Sequence, residues 1–102
     1  MVKGPHLSTN LSEPLAIPYF LWDEPMTVAE LKRRLAASDR PEQGRLLGKI
    51  LREARDTDVW IFTTPQEVAQ RWDELVKHLG RNRHFWEVLL REWREEGLLE
   101  PG

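Results

Sequence analysis

Thr64-Pro65-Gln66-Glu67 constrains the fold of this chain more than any other stretch. Threonine offers a side-chain oxygen to the first helical amides. Proline suits the first helical position, and glutamate three residues after the cap completes the start signal. Val68, Trp72, Leu75, Val76 and Leu79 then recur at helical spacing, and Gly80 ends the run. Residues 64–80 therefore read as a helix with one buried face.

The same grammar recurs along the chain. Thr27 with Glu30 opens a helix whose inner positions are Val28, Leu31 and Leu35, with Lys32, Arg33 and Arg34 facing outward. Ser38 and Asp39 end it, and Asp39 with Glu42 starts the next. There the apolar stripe is Leu46, Leu47, Ile50, Leu51 and Ala54, with Arg45, Lys49, Arg52 and Arg55 around it. Residues 56 to 62, "DTDVWIF", form a break and a short apolar run, read as an extended or single-turn connector buried in the core. Asn82 can cap a last helix that turns Phe85, Trp86, Leu89, Leu90 and Trp93 inward and stops at Gly97. Leu98 and Leu99 then fold back or form a short strand.

In front of these helices lies "PYFLWDEPMT", residues 18 to 27. Each proline disfavours helix in the residue before it, so residues 18 to 26 are expected to be extended. Residues 1 to 17, with Gly4, Pro5, Pro14 and several small polar residues, read as a flexible tail. The expected architecture is all-α: a compact four-helix domain over residues 18 to 102, with an extended aromatic N-terminal arm. A helix-turn-helix is the alternative reading of its second half.

Composition limits the function. A chain of 102 residues with 40% apolar and 31% charged residues is a globular domain with a thin stability margin. There is no cysteine, hence no disulfide framework, thiolate zinc site or cysteine nucleophile. No signal-peptide pattern opens the chain and no apolar run approaches membrane-spanning length, so a cytoplasmic setting is expected. The net charge of -2 argues against bulk nucleic-acid binding but conceals an uneven layout. Lys32 to Arg55 holds eight basic and three acidic residues, whereas Asp56 to the end holds six basic and ten acidic. Five tryptophans mark a core or an interface, a homodimer seam included.

Candidate chemistry is sparse. Asp56 and Asp58 have the alternation of carboxylates that hold a divalent ion, but no glycine-rich phosphate loop accompanies them. The spacing is trivial, and an acidic loop after a helix, where Asp56 disfavours further helix, is the preferred explanation. His6, His78 and His84 lack the spacing that puts two imidazoles on one helical face. Arg71 and His78 enclose six residues, which fits the loose Arg-x(4–6)-His pattern of HEPN helical ribonucleases across two turns of one helix. In the helix-turn-helix reading, Arg81, Asn82, Arg83 and His84 would lie where base edges of duplex DNA are reached. Glu87, Glu92, Glu95 and Glu96 on the same helix oppose that reading by repelling phosphate. Nothing in the sequence calls for a metal or a cofactor.

"PYFLWD", then "LLGKILREARDTDVWIFTTPQEVAQRW" at residues 46 to 72, then "RNRHFWEVLLREW" at residues 81 to 93, resemble a family of short bacterial proteins. Their genes commonly sit beside a gene for a nucleotidyltransferase-like toxin of the AbiEii type. The resemblance covers residues 18 to 93. Its marks are Phe20, Leu21, Trp22 and Asp23; Leu51, Arg52, Glu53, Ala54 and Arg55; Asp58, Val59 and Trp60; and Trp86 with Glu87. It implies a non-enzymatic partner role, as antitoxin or accessory subunit. The residues expected to meet that partner are Tyr19, Phe20, Trp22, Asp23, Arg52, Arg55, Asp58 and Trp60. The plainer alternatives are that the aromatic arm packs inward and that the arginines pair with Glu53, Asp56 or Asp58.

Overall fold

The computed structural model describes residues 7 to 99. Residues 1–6, which open the expected tail, and 100–102 lie outside the described residues. The structure is mostly helical: among the described residues there are six α-helices, three short 3₁₀ turns and two two-residue strands. These residues divide into two compact units, one ending at Gln43 and one beginning at Gly44.

In the first unit, β1 (Leu7–Ser8) pairs in parallel with β2 (Ile17–Pro18). The segment expected as a tail is therefore hydrogen-bonded from Leu7 onward. It also closes the start of α1 (Val28–Ala36), because the Val28 and Ala29 amides donate to the Ala16 and Pro14 carbonyls at 2.8 and 3.0 Å. Those amides have no partner inside the helix, and the tail's carbonyls supply one. Thr27 Oγ1 accepts from the Glu30 amide at 3.1 Å, as the capping signal requires.

The aromatic arm departs from its expected extended form. Tyr19–Leu21 is a 3₁₀ turn that continues through the Glu24 amide donating to the Leu21 carbonyl at 3.2 Å. Proline restricts the residue before it, so Pro18 keeps Ile17 extended but leaves the following residues free to turn. The turn buries Phe20 and Leu21 while Trp22 stays exposed.

Helix α2 (Arg40–Glu53) carries the chain into the second unit. The connector after it is a single turn, α3 (Asp56–Val59), with Val59 buried. The helix expected from Thr64 is broken into α4 (Pro65–Gln70), α5 (Trp72–Leu75) and a 3₁₀ turn, Val76–His78. The break is at Arg71, whose backbone leaves the helical region (φ -105°, ψ 17°). Helices α1, α2 and α6 lie where helices were expected, the third expected helix is split into α4 and α5, and α3 is a further turn, so the described residues hold six helices rather than four. Gly80 adopts a left-handed φ of 53°, so its missing side chain is what allows the turn there.

Helix α6 (Arg83–Glu95) buries Trp86 and Leu90. Its end is a Schellman arrangement: the Leu98 amide donates to the Trp93 carbonyl at 2.8 Å and the Gly97 amide to Arg94 at 3.1 Å, with Gly97 at φ 79°. This folds Leu99 back into a buried position, one of the two outcomes expected for Leu98 and Leu99. No described helix is long and apolar enough to cross a membrane.

Candidate functional site

The second unit organises its polar and aromatic groups around the C-terminal half of α2. Gly44 and Gly48, one turn apart, leave a shallow track on that helix. A Cβ on Gly44 would stand 3.7 Å from Arg71 Nη2, and one on Gly48 only 2.3 Å from His78 Cβ. The kink at Arg71 and the tightened turn at His78 bring both residues of the expected ribonuclease pair onto this track. They do not share one continuous helix. Arg71 is only 8% exposed, and its Nη2 donates to Glu74 Oε2 at 2.9 Å. Its guanidinium is packed and ion-paired, with Nε buried and making no hydrogen bond.

Further along α2, Arg52 Nη1 donates to the His78 carbonyl at 3.1 Å. The Asn82 side-chain amide donates to the Arg52 carbonyl at 2.7 Å. Asn82 was expected to cap α6 and, in the DNA reading, to face bases. Its backbone (φ -86°, ψ 0°) lies outside the extended region a capping residue needs, so its side chain instead satisfies a carbonyl at the end of α2. Of the other DNA-reading candidates, Arg83 Nε reaches Glu87 at 3.4 Å, whereas Arg81 and His84 are exposed.

Burial, followed by the charges of Lys77, Arg52 and Arg45, pushes the His78 imidazole below its ordinary pKa. A low-dielectric site disfavours the protonated ring, and three cations disfavour it again. Lys77 and Arg81 are themselves exposed. This basic end of the unit could not be seen in the overall charge. The signal available in the sequence was local: no carboxylate occurs from Leu75 to Trp86.

Beside it lies the aromatic cluster. Trp60 meets Trp86 edge-on with centroids 5.8 Å apart, and it meets Trp93 at a tilt with centroids 5.7 Å apart. Phe85 meets Trp86 edge-on at 5.1 Å. The Trp86 indole Nε1–H donates to the Leu51 carbonyl at 2.9 Å, which fixes the cluster to α2. Trp86 is buried, Trp60 and Trp93 are half-buried, and Ile61 and Phe85 are 45% and 47% exposed. The cluster thus has a core side and an open side.

The residues expected to meet a partner are found in both units. In the first, Tyr19 is half-buried with its ring edge-on to Phe20 at 5.3 Å. Phe20 itself is buried, which removes it from any contact surface. Trp22 and Asp23 are exposed. In the second, Arg55 is exposed and accepts through its carbonyl from the Asp58 amide at 2.9 Å. Arg52 Nε lies 3.9 Å from Glu53 Oε2, within the ion network considered above. Asp58 is half-buried in α3. Among the described residues, no group of three or more His, Asp or Glu side chains is placed to hold a metal ion.

Compared with protein-family models, curated proteins and solved structures, the chain gives no significant match.

Proposed function

We propose that this chain is a non-enzymatic protein-binding module of the cytoplasm, acting as the antitoxin-like partner of a nucleotidyltransferase-type toxin. The observation that carries the binding role is the open side of the aromatic cluster. Phe85 and Ile61 keep nearly half their surface in water although each adjoins a tryptophan of the cluster in sequence. Exposed aromatic and aliphatic groups on a rigid aromatic base are the usual anchors of protein interfaces. Trp22, 61% exposed after the 3₁₀ turn, offers a second such anchor.

The choice of toxin rests on the resemblance of residues 18 to 93 to proteins encoded beside AbiEii-type genes. In this reading the helical scaffold presents apolar anchors and the partner is held inactive by being covered.

The test is co-expression with the nucleotidyltransferase-like product of the adjacent gene, followed by co-purification and a growth assay. A stable complex and relief of toxicity are expected, with Phe85→Ala and Trp22→Ala each weakening both. Failure of the wild-type pair to co-purify, with toxicity unrelieved, would remove the proposal.

A further inference from the structure

The open side of the aromatic cluster continues along α6. Phe85, Val88, Leu89, Glu92 and Glu96 follow one another at steps of three and four residues, so they stand on one side of the helix and its cap. Glu95, three residues after Glu92, borders them. Burial agrees with this placement. Phe85 is exposed, Val88 and Leu89 are half-buried, and Glu92, Glu95 and Glu96 are exposed, whereas Trp86 and Leu90 face the core. The stripe thus begins apolar, beside the tryptophan that supports Phe85, and turns acidic about 10 Å further along the axis.

The acidic end is not balanced from within. Among the described residues no ion pair engages Glu92, Glu95 or Glu96, whereas Glu87, on another side of the helix, pairs with Arg83 at 3.4 Å. Arg91 and Arg94 are exposed, but they follow Glu87 at helical spacing and share its side of α6. Three carboxylates in the last turn and cap also face the negative end of the helix dipole, and Glu92 repels Glu96 across four residues. Each of these placements works against the helix that carries it. Cations brought by a partner would relieve all of them together.

The backbone limits what can lie on the stripe. The last carbonyls of α6 are met by the Gly97 and Leu98 amides, and the rest stay in the helical ladder. No open edge is offered to an extended strand, so an occupant must satisfy its own backbone, as a helix does. A second copy of this chain fits poorly. Laid parallel, it sets acid against acid. Laid antiparallel, the two-fold axis that brings Val88 to Leu89 also sets each copy's Glu92 against the other's Phe85. A carboxylate desolvated against a ring finds no hydrogen-bond donor there.

We propose that this side of α6 docks a cationic amphipathic helix of the partner protein, its apolar residues on Phe85, Val88 and Leu89 and its lysines or arginines on Glu92, Glu95 and Glu96. The inference rests on the protein-binding role above and adds the chemistry of the partner.

The test is fluorescence anisotropy of the full chain with three labelled helical peptides of about eighteen residues, or five turns. The first carries leucines along one face and lysines at one end of it. The second has glutamate for each lysine, and the third has serine for each leucine. The first is expected to bind, and the other two at least tenfold more weakly. Phe85→Ala should weaken the first about tenfold. Glu92→Gln with Glu95→Gln should weaken it at least fivefold and yet raise the Tm of the free chain by about 2 °C. A merely structural role would not move binding and stability in opposite directions. Asp73→Asn, an exposed carboxylate on α5, should change neither.

Equal binding of the lysine and glutamate peptides, or equal losses in Asp73→Asn and the double variant, would overturn the cationic partner. A concentration-dependent dimer in sedimentation that Phe85→Ala abolishes would give the face to a second copy instead. Binding of none of the peptides would overturn the docking site. Co-purification with the adjacent gene's product separates these failures from that of the wider role. A wild-type complex that the double variant leaves unchanged sinks only the cationic docking, whereas absence of any wild-type complex sinks the role beneath it.

Discussion

His78 Cβ lies 2.3 Å from the point where a Cβ on Gly48 would stand, so these two residues pack with nothing between them but the hydrogen of glycine. No rotamer change relieves such a contact, because both atoms are fixed by backbone. Gly48→Ala must move the Val76–His78 turn away from α2 and strain the bond from Arg52 to the His78 carbonyl. A loss of about 2 kcal/mol in urea unfolding is expected. Gly44→Ala is the control. Its Cβ would find Arg71 Nη2 at 3.7 Å, an ordinary contact, and alanine favours helix over glycine. It should be neutral or stabilising by up to about 1 kcal/mol. Equal destabilisation by the two substitutions would mean that the turn does not sit on Gly48 as described.

Trp86 holds the aromatic cluster to α2 through one hydrogen bond and two edge-on ring contacts. Trp86→Phe keeps an apolar ring but removes the indole donor from the Leu51 carbonyl and leaves unfilled volume. The expected cost is about 2 kcal/mol, from a buried acceptor losing its partner and from looser packing. Trp60 and Trp93 should become more accessible in the same variant, which acrylamide quenching of tryptophan fluorescence would register. An unchanged unfolding midpoint would show that the indole bond contributes nothing.

The helix starts were legible because they depend on local chemistry. Thr27, Asp39 and Thr64 each accept from the amide three residues on, at 3.1, 3.2 and 3.1 Å. The second half of two of these capping boxes was not legible. Glu30 turns to Arg33 and Arg34, and Glu67 to the Thr63 hydroxyl, because those partners compete for the same carboxylate. The break at Arg71 was also hidden. Its helical spacing is intact, and only packing against a glycine on a distant helix makes a kink favourable. The Gly44–Gly48 spacing was the one sign of that packing, and it carries no meaning until the opposing segment is known. Similarly, Asn82 has the composition of a cap, but the approach of α2 gives its amide a better partner.

Glu30 accepts from both Arg33 and Arg34, at 2.6 to 2.8 Å. The hydrogen bond from Arg33, then that from Arg34, lowers its pKa from 4.5 to about 2. The unfolded chain therefore binds this proton first. The stabilisation is fully present above pH 4.5 and is lost as pH falls toward 2. Solvent keeps its size small. Carbon-detected NMR titration should place the Glu30 carboxylate well below its ordinary 4.5. Arg33→Gln should return it part of the way, and raised salt should do the same. A Glu30 midpoint near 4.5 at low salt would contradict the bidentate geometry.

The His78 ring has the opposite charge problem. It is disfavoured as a cation first by burial and then by Lys77, Arg52 and Arg45, so its folded midpoint lies below the ordinary 6.5. Above 6.5 the ring is neutral in both folded and unfolded chains and contributes no pH dependence. As pH falls through 6.5, the unfolded chain takes up the proton before the folded one, and stability declines until the folded midpoint is passed. Lys77→Gln is the informative variant, because Lys77 is exposed whereas Arg52 also holds the His78 carbonyl. It should raise the His78 midpoint without restoring it fully, since burial and two arginines remain. It should also flatten the decline in stability between pH 7 and pH 5. Imidazole proton NMR on the folded protein measures the first effect and urea unfolding at the two pH values measures the second. A wild-type midpoint at or above 6.5 would mean that the ring is solvated and that the three cations do not converge on it.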